Sequence, residues 1–341
     1  MKSKIMKVII SIVIVVGLLY LLQLLLMPKY MSGVIEGAMV SEYYDEVKDH
    51  DVIFIGDCEL YENFSPVDLW REYGINSFIR GGAQQLIWHS YYLLEETLEY
   101  EKPDVVVFNV LSMKYDVPQK ETYNRMAIDG MKWSSSKINN IKASMTEEEE
   151  FLDYVFPILR YHSRWNQLTS EDFKYLFTKD KVTHNGYYMR VDVMPLKTIP
   201  EPKPLTDYQL GENSYKYLDM MRELCEKEGV ELVLVKAPTL YPHWYKEWDE
   251  QIVEYADTYG LDYYNFVNEI GEIGIDFNLD TYDGGLHLNL SGAKKMTSYF
   301  GKILQDEYGI ENRSDEEKLS NRWEEKLQLY NKEIERQNAE L

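Results

Sequence analysis

The residues of this sequence that could carry covalent chemistry lie in two short segments far apart in the chain. Gly56-Asp57-Cys58 directly follows the apolar run 52–55, and Asp283-Gly284-Gly285-Leu286-His287 precedes the last amphipathic segment. A cysteine thiolate is a nucleophile. An imidazole is a general base that a neighbouring carboxylate can orient. The two segments therefore predict Cys58 as nucleophile, His287 as base and Asp283 as the partner of the base.

Two further segments offer groups that could stabilise a developing oxyanion. Gly81-Gly82 follows a second apolar run, and Asn109 follows a third. The backbone N–H of Gly82 and the side-chain amide of Asn109 are suitable donors. Each also has a purely structural interpretation, because glycine pairs form turns and asparagine caps them.

Short apolar runs alternate with amphipathic helices over most of the chain. The runs are predicted strands at 52–55, 75–79, 105–108, 231–235 and 263–267. Such alternation implies right-handed crossovers and a parallel sheet covered on both faces. We expect an α/β fold of the flavodoxin-like type, a three-layer α/β/α sandwich with five parallel strands. Reactive groups collect at the carboxyl ends of such strands, so the four segments should converge there.

The chain divides into regions of different composition. We predict an anchor (1–30), a polar stalk with a lead-in helix (31–50), an α/β domain (51–310) and a charged, solvated helical tail (311–341). Strand–helix alternation is lost between 112 and 210, and a plain loop of that length is uncommon. This part is predicted to be a helical insertion or lid.

The anchor is predicted from residues 8–27, where only Ser11, Gly17, Tyr20 and Gln23 interrupt Val, Ile, Leu and Met. About 20 apolar residues cross a hydrocarbon core of roughly 30 Å. Lysines precede the run, which predicts a cytoplasmic N-terminus and an extracytoplasmic main domain. The alternative is a cleaved signal peptide, but its apolar region is usually about 7 to 15 residues and ends at a small-x-small site.

Composition excludes several classes of protein. The formal net charge is −22, from 58 acidic and 36 basic residues, which argues against a nucleic-acid partner. Two cysteines do not make a disulfide scaffold, although one bridge between Cys58 and Cys225 stays open. Cys225 lies on the apolar face of a predicted helix, which favours a buried role. The five histidines other than His287 have no partner at ligand spacing, so we predict neither a metal site nor a cofactor: His50, His89, His162, His184 and His243.

The order Gly-Asp-nucleophile, then Gly and Asn, then Asp with His resembles the SGNH (GDSL-type) hydrolase superfamily, over about residues 51–310 without the insertion. The resemblance implies a flavodoxin-like fold, Cys58 as nucleophile, His287 as base and Asp283 as its partner. It also implies Gly82 and Asn109 as oxyanion donors. The anchor and the segment 287–293 resemble the membrane-attached branch that acylates or deacylates bacterial surface polysaccharides.

Three features depart from that pattern. The nucleophile is usually Ser, two residues usually separate Asp from His where here there are three, and Val107 stands where Gly is common. The altered spacing leaves Asp280 as an alternative to Asp283. Two functions therefore stay open: an O-acyltransferase or esterase acting on cell-surface carbohydrate, and an inactive module that binds glycan or docks a membrane acyltransferase.

Overall fold

A computed structural model describes residues 2–27, 36–174, 176, 181–241 and 243–341. The described residues form five β-strands and fifteen α-helices. The strands make one sheet in which every neighbouring pair is parallel. The predicted α/β class with a five-stranded parallel sheet is confirmed.

The strands are β1 (Val52–Gly56), β2 (Ser77–Gly81), β3 (Val105–Asn109), β4 (Glu231–Lys236) and β5 (Asp262–Asn265). Their order across the sheet is β2-β1-β3-β4-β5. All residues of β1, β2 and β3 are buried, as expected for strands rich in Val, Ile and Phe with helices on both faces. Each strand overlaps a predicted run, and the carboxyl ends of β1 and β2 lie side by side at Gly56 and Gly81.

The helices are α1 (Lys2–Leu26), α2 (Glu36–Glu42), α3 (Cys58–Asn63), α4 (Pro66–Tyr73), α5 (Ile87–Tyr100), α6 (Glu121–Ile128), α7 (Ser135–Ser144), α8 (Phe151–Val155), α9 (Ile158–Tyr161), α10 (Ser170–Lys174), α11 (Glu212–Glu228), α12 (Lys246–Tyr259), α13 (Ile270–Ile273), α14 (Leu290–Asp306) and α15 (Glu317–Glu340). Local sequence sets several of their ends. Ser65 caps α4 by accepting the N–H of Asp68 at 3.2 Å. Gly229 ends α11 in the left-handed conformation at φ 71°.

Side chains alternate between two cores along the strands. Phe54 and Val107 point into a core shared with α3, α4, α14 and α15. Ile53 and Phe108 point into a second core shared with α5, α11 and α12. Cys58 packs against the first core and Cys225 lies in the second, and both are free thiols, so no disulfide joins them.

The N-terminal helix is apolar over Lys4–Leu26 and is long enough to cross a membrane. A signal sequence near an N-terminus can meet the same criteria of length and composition. In the predicted stalk, residues 31–35 lie outside the described residues, and residues 39–50 pack on the domain. Tyr43 is fully buried and donates to Glu101 at 2.6 Å. This part of the region is therefore a docked segment, not a free stalk.

The predicted insertion contains the helices α6 to α10, after which residues 182–194 return along the edge of the sheet. There the carbonyl of Asn185 accepts the N–H of Ile79 at 3.0 Å.

The prediction that the C-terminal tail is a solvated helix is wrong in one respect. Trp323 of α15 is buried and stacks on Trp70 at 5.3 Å, and Tyr330 is fully buried. The tail helix is part of the domain because its few apolar residues lie on one face.

Candidate active site

Cys58 lies at the carboxyl end of β1, where the chain turns into α3. Asp57 caps α3 by accepting the N–H of Glu59 at 3.1 Å, which makes Cys58 the first residue of the helix. A backbone N–H in this position has no intrahelical acceptor. Gly56 permits the turn because a Cβ there would lie 2.9 Å from the Leu60 side chain and 3.2 Å from that of Asn109. The half-buried thiol is thus presented above the sheet edge.

His287 is held by Asp283 through two contacts. Its Nδ1 lies 2.6 Å from Asp283 Oδ2, and its backbone N–H donates to Asp283 Oδ1 at 2.9 Å. Gly284 and Gly285 between them have φ of 80° and 89°, a backbone conformation that glycine adopts without strain. The carbonyl of Gly285 accepts the N–H of Leu240 at 2.8 Å, which ties this loop to the chain after β4. The glycine pair thus lets the loop turn back so that Asp283 reaches His287 across three intervening residues.

Asp280, the alternative carboxylate, faces elsewhere. It is fully buried, and its Oδ2 lies 2.6 Å from Lys295 Nζ and accepts the N–H of Asp276 at 2.8 Å. Of the two acids that the sequence leaves open, Asp283 is the one in contact with His287.

The Cys58 thiol and the His287 ring lie close enough for each to shift the pKa of the other. Burial raises the pKa of the Cys58 thiol, and His287 offsets part of that rise. Burial alone would lower the pKa of His287. The effect of burial is outweighed by the charges on Cys58 and Glu62 and by the hydrogen bond to Asp283. Together they raise the pKa of His287 well above its usual value. The structure thus brings Cys58, His287 and Asp283 together, three groups of the types that could serve as nucleophile, base and orienting carboxylate.

Glu62 is a second carboxylate at this site that sequence reasoning missed. It is buried, lies 3.5 Å from His287 Nδ1 and accepts a hydrogen bond from the Tyr282 hydroxyl. Burial raises the pKa of Glu62. Cys58 and Glu62 are four residues apart, which places them on one face of a helix. That spacing was the available signal, but it has meaning only once α3 is known to be helical.

We predict that Glu62→Gln moves the pH dependence of Cys58 alkylation to lower pH. The Glu62 charge raises the pKa of both Cys58 and His287, so its removal favours the thiolate and the neutral imidazole at lower pH. The measurement is the rate of iodoacetamide labelling against pH. Glu250→Gln is the control, because this residue lies on α12 at the other face of the sheet. An unchanged or more alkaline midpoint for Glu62→Gln would contradict the prediction.

Asn109 ends β3 next to Asp57, and its side-chain amide is already hydrogen-bonded. Its Nδ2 donates to Asp57 Oδ1 at 3.0 Å and to Glu59 Oε2 at 3.1 Å, and its Oδ1 accepts the N–H of Ala237 at 3.2 Å. Glu59 in turn pairs with the fully buried Lys236 at 2.7 Å. These residues form a buried polar network that includes both chain neighbours of Cys58. The role of Asn109 as an oxyanion donor stays a prediction, and it requires the amide to release one carboxylate.

Gly82 is buried just after β2, and its carbonyl accepts the N–H of Gln85 at 3.1 Å. A Cβ at this position would make only ordinary van der Waals contact, 3.4 Å from Gln85 Oε1, so packing does not require glycine here. Its role as a second oxyanion donor also stays a prediction.

We predict that Asp57→Asn stabilises the protein at alkaline pH. Burial, and then the charge on Glu59, raise the pKa of Asp57 to about 6, so folding penalises its ionised form. That penalty is complete above the folded pKa and vanishes below the usual value near 3.8. Asparagine keeps an oxygen for the N–H of Glu59. We expect a gain on the order of 1 kcal/mol in the free energy of unfolding at pH about 8, and none at pH about 3.5.

Urea unfolding of the full chain at both pH values measures this effect. A loss of stability at pH about 8 would show that the Asp57 charge is favourable in place, and would contradict the prediction.

The returning segment 182–194 of the insertion covers one side of the site. The carbonyl of Arg190 accepts the N–H of Leu290 at 2.6 Å, and its guanidinium lies 4.6 Å from the centre of the Tyr282 ring. That ring in turn stacks on His287, with centroids 6.2 Å apart. The two histidines of the insertion stay outside the site: His184 packs against Tyr330, and His162 is exposed.

Asn63 is another residue that sequence reasoning missed. Its Oδ1 accepts the N–H of Leu288 at 2.8 Å, and its Nδ2 donates to the carbonyl of Pro238 at 3.2 Å. It therefore links α3, the His287 loop and the chain after β4. No local pattern marks it, because its partners are distant in sequence.

Among the described residues, Glu62, Asp283 and His287 form a group whose ligand atoms lie within 4.8 Å of one another. Such a group could hold a metal ion. The same atoms already bond to one another and to Tyr282, an arrangement that orients His287 without a metal.

Comparison with models of known protein families gives no match. Comparison with curated proteins gives none either. The class of the site is therefore argued from its residues and geometry.

Proposed function

We propose that this chain is a membrane-anchored SGNH-like acyl-ester enzyme, an O-acyltransferase or an esterase, acting on cell-surface carbohydrate outside the cytoplasm. The observation that carries the proposal is the grouping of Cys58, His287 and Asp283, in which Asp283 bonds to His287 Nδ1 at 2.6 Å and His287 and Cys58 shift each other's pKa. Its members come from two loops that are far apart in the chain. Nucleophile, base and orienting carboxylate in this arrangement are what acyl transfer through a covalent intermediate requires.

The sheet supports the same proposal. Its strand order, β2-β1-β3-β4-β5, is the order of flavodoxin-like sheets, whose ligands bind at the carboxyl ends of the strands. Cys58 follows β1, Asn109 ends β3, and the His287 loop is tied to the chain after β4. The fold and the site thus fit the SGNH-like assignment together.

The first half of the reaction would form an acyl-enzyme. His287 accepts the proton of the Cys58 thiol, and the sulfur attacks the carbonyl carbon of the ester. The resulting oxyanion is held by the backbone N–H of Cys58, with the Gly82 N–H and the Asn109 amide as further donors. The C–O bond then breaks, the alkoxide takes the proton from His287, and the acyl group remains on Cys58 as a thioester.

The second half would resolve the thioester. A sugar hydroxyl gives its proton to His287 and attacks the thioester carbonyl, and the C–S bond breaks to return the Cys58 thiol with that proton. Water in place of the sugar hydroxyl gives net hydrolysis. The same residues thus serve transfer and hydrolysis, and the acceptor that reaches the thioester decides between them.

The substrate class follows from the N-terminal helix. A retained helix over Lys4–Leu26 would tether the site to a membrane, and the lysines before it favour a cytoplasmic N-terminus. The domain would then face the extracytoplasmic side, where envelope carbohydrate is within reach. The net charge of −22 disfavours nucleic acid.

The test is detection of the acyl-enzyme. Full-length protein in detergent is mixed with an activated acetyl ester, and intact mass and ester turnover are measured. We expect one acetyl adduct on Cys58 and loss of both adduct and turnover in Cys58→Ala. Cys225→Ala is the matched control, because this thiol is buried on α11 in the other core. Undiminished turnover in Cys58→Ala would overturn the proposal.

Two observations favour a second function, a non-catalytic module that binds glycan or docks a membrane acyltransferase. Burial raises the pKa of the Cys58 thiol, and both amide hydrogens of Asn109 are donated to buried carboxylates. Glycan binding that persists in Cys58→Ala, with no ester turned over by the wild-type chain, would support this function. An acyl adduct on Cys58 would exclude it.

A further inference from the structure

The last turn of α1 packs against the insertion. Leu26 is buried there, and the guanidinium of Arg164 donates to its carbonyl at 2.6 Å. The contacts of α1 are with α9, α10 and the 3₁₀ turn His162–Asn166 between them. The insertion is thus attached to the point where the apolar helix ends.

The exposed apolar part of α1 is shorter than a hydrocarbon core. Residues 4 to 22 are all exposed, and burial begins at residue 23. Because Lys4 and Lys7 are charged, the apolar exposed stretch is 8–22, about 22 Å long at about 1.5 Å per residue, against a hydrocarbon core of roughly 30 Å. If residues 8–27 span a membrane, the insertion elements that contact residues 23–27 lie at the outer edge of the bilayer.

These elements and the adjoining α8 expose large apolar side chains. Trp165 is 70% exposed, and four further residues on α8 to α10 and their connections are about half exposed: Leu152, Phe156, Leu159 and Phe173. Soluble domains rarely expose so many large apolar side chains within so short a segment. Tryptophan with neighbouring aliphatic and aromatic side chains is the composition of a membrane–water interface.

Charge in this region suits a lipid surface as well. Residues 151–174 contain three acids and three bases, namely Asp153, Glu171, Asp172, Arg160, Arg164 and Lys174, so their formal charge is zero. The whole chain carries −22. A neutral patch in an acidic protein removes the electrostatic repulsion that an anionic bilayer would otherwise exert there.

We propose that residues 151–174 form a second membrane contact, which inserts its exposed apolar side chains, with Trp165 foremost, into the interface of the bilayer that α1 spans. The inference rests on the proposed anchor and does not depend on ester chemistry. It fixes the domain against the membrane surface, whereas a single helix alone would leave it free to swivel.

The test uses tryptophan fluorescence of the full chain in phosphatidylcholine vesicles, with and without bromine on the acyl chains. None of the seven tryptophans lies in α1, so quenching by bromine reports only contacts made by the domain. We expect quenching in the wild type and loss of most of it in Trp165→Phe. Trp133→Phe is the matched control, because Trp133 is 54% exposed in the same insertion but lies between α6 and α7.

A second variant restores the signal. Leu159→Trp in the Trp165→Phe background places a new indole on the same surface, and quenching should return. Absence of quenching in the wild type would overturn the proposal, as would quenching that is lost in Trp133→Phe instead. Shielding of Trp165 from aqueous acrylamide without bromine quenching would overturn it too, and would show that a second copy or a protein partner covers the surface. A Cys58→Ala chain should quench like the wild type, which separates this inference from the proposed enzyme activity.

Discussion

Asp283→Asn should lower ester turnover by about 10³- to 10⁴-fold, as loss of the carboxylate does in other sites built on an oriented imidazole. Asp283 accepts from Nδ1 of His287 at 2.6 Å and thereby keeps the other ring nitrogen toward Cys58. Asparagine can present an N–H to the ring and favour the wrong tautomer. Steady-state turnover of an activated ester, with the substrate concentration varied, measures the loss in kcat.

Two variants make this result specific. Asp280→Asn changes a buried acid of the same loop that bonds to Lys295 and not to His287, so turnover per folded molecule should stay near wild type. Asp283→Asn combined with Glu62→Gln should lose more than Asp283→Asn alone, because Glu62 is the remaining carboxylate near Nδ1 at 3.5 Å. Equal losses of turnover in Asp280→Asn and Asp283→Asn would contradict the prediction. They would show that damage to the loop, and not the orientation of His287 by Asp283, causes the loss.

Lys236→Met should destabilise the protein by about 3–5 kcal/mol, the cost of leaving a buried charge without its partner. Lys236 is fully buried and lies 2.7 Å from Glu59, which is itself 1% exposed. Within the buried network described above, the Glu59 carboxylate would then keep only the hydrogen bond from the Asn109 side chain. Urea unfolding at neutral pH measures the change in the free energy of unfolding.

The double variant Lys236→Met with Glu59→Gln should recover much of that loss, because it removes both charges and keeps an oxygen for the Asn109 amide. Lys246→Met is the control, since its ion pair with Glu250 is exposed and its removal should not change stability measurably. A Lys236→Met chain as stable as the wild type would mean that the buried pair contributes nothing.

The position of Cys58 and His287 could be predicted from the sequence, because functional groups of open parallel sheets lie at the carboxyl ends of the strands. Cys58 ends an apolar run and His287 precedes an amphipathic helix, so both are expected at one edge of the sheet. The choice between Asp283 and Asp280 could not be made in this way. It depends on the path of a loop through two glycines with positive φ, and on the Lys295 side chain that pairs with Asp280.

The roles of other residues could not be predicted, because their partners are distant in sequence. Lys236 looks like an ordinary strand-end lysine until Glu59 is brought beside it, 177 residues away. Glu62 depends on α3, which is too short for its periodicity to be recognised. In the tail, the buried Leu319, Trp323 and Tyr330 are separated by charged residues. The composition of the tail therefore predicts a solvent-exposed helix, although one face of that helix packs on the domain.

The tail helix has a consequence for the order in which the molecule is completed. Gln337 of α15 accepts the N–H of Val191 and donates to the carbonyl of Met189, on either side of Arg190, whose carbonyl holds Leu290 next to the His287 loop. A ribosome makes this glutamine only after all five strands of the sheet. A chain that has formed its sheet but not α15 still lacks the Gln337 hydrogen bonds that hold the segment beside the His287 loop. We therefore expect a nascent chain, or one truncated before α15, to fold before its site can become active.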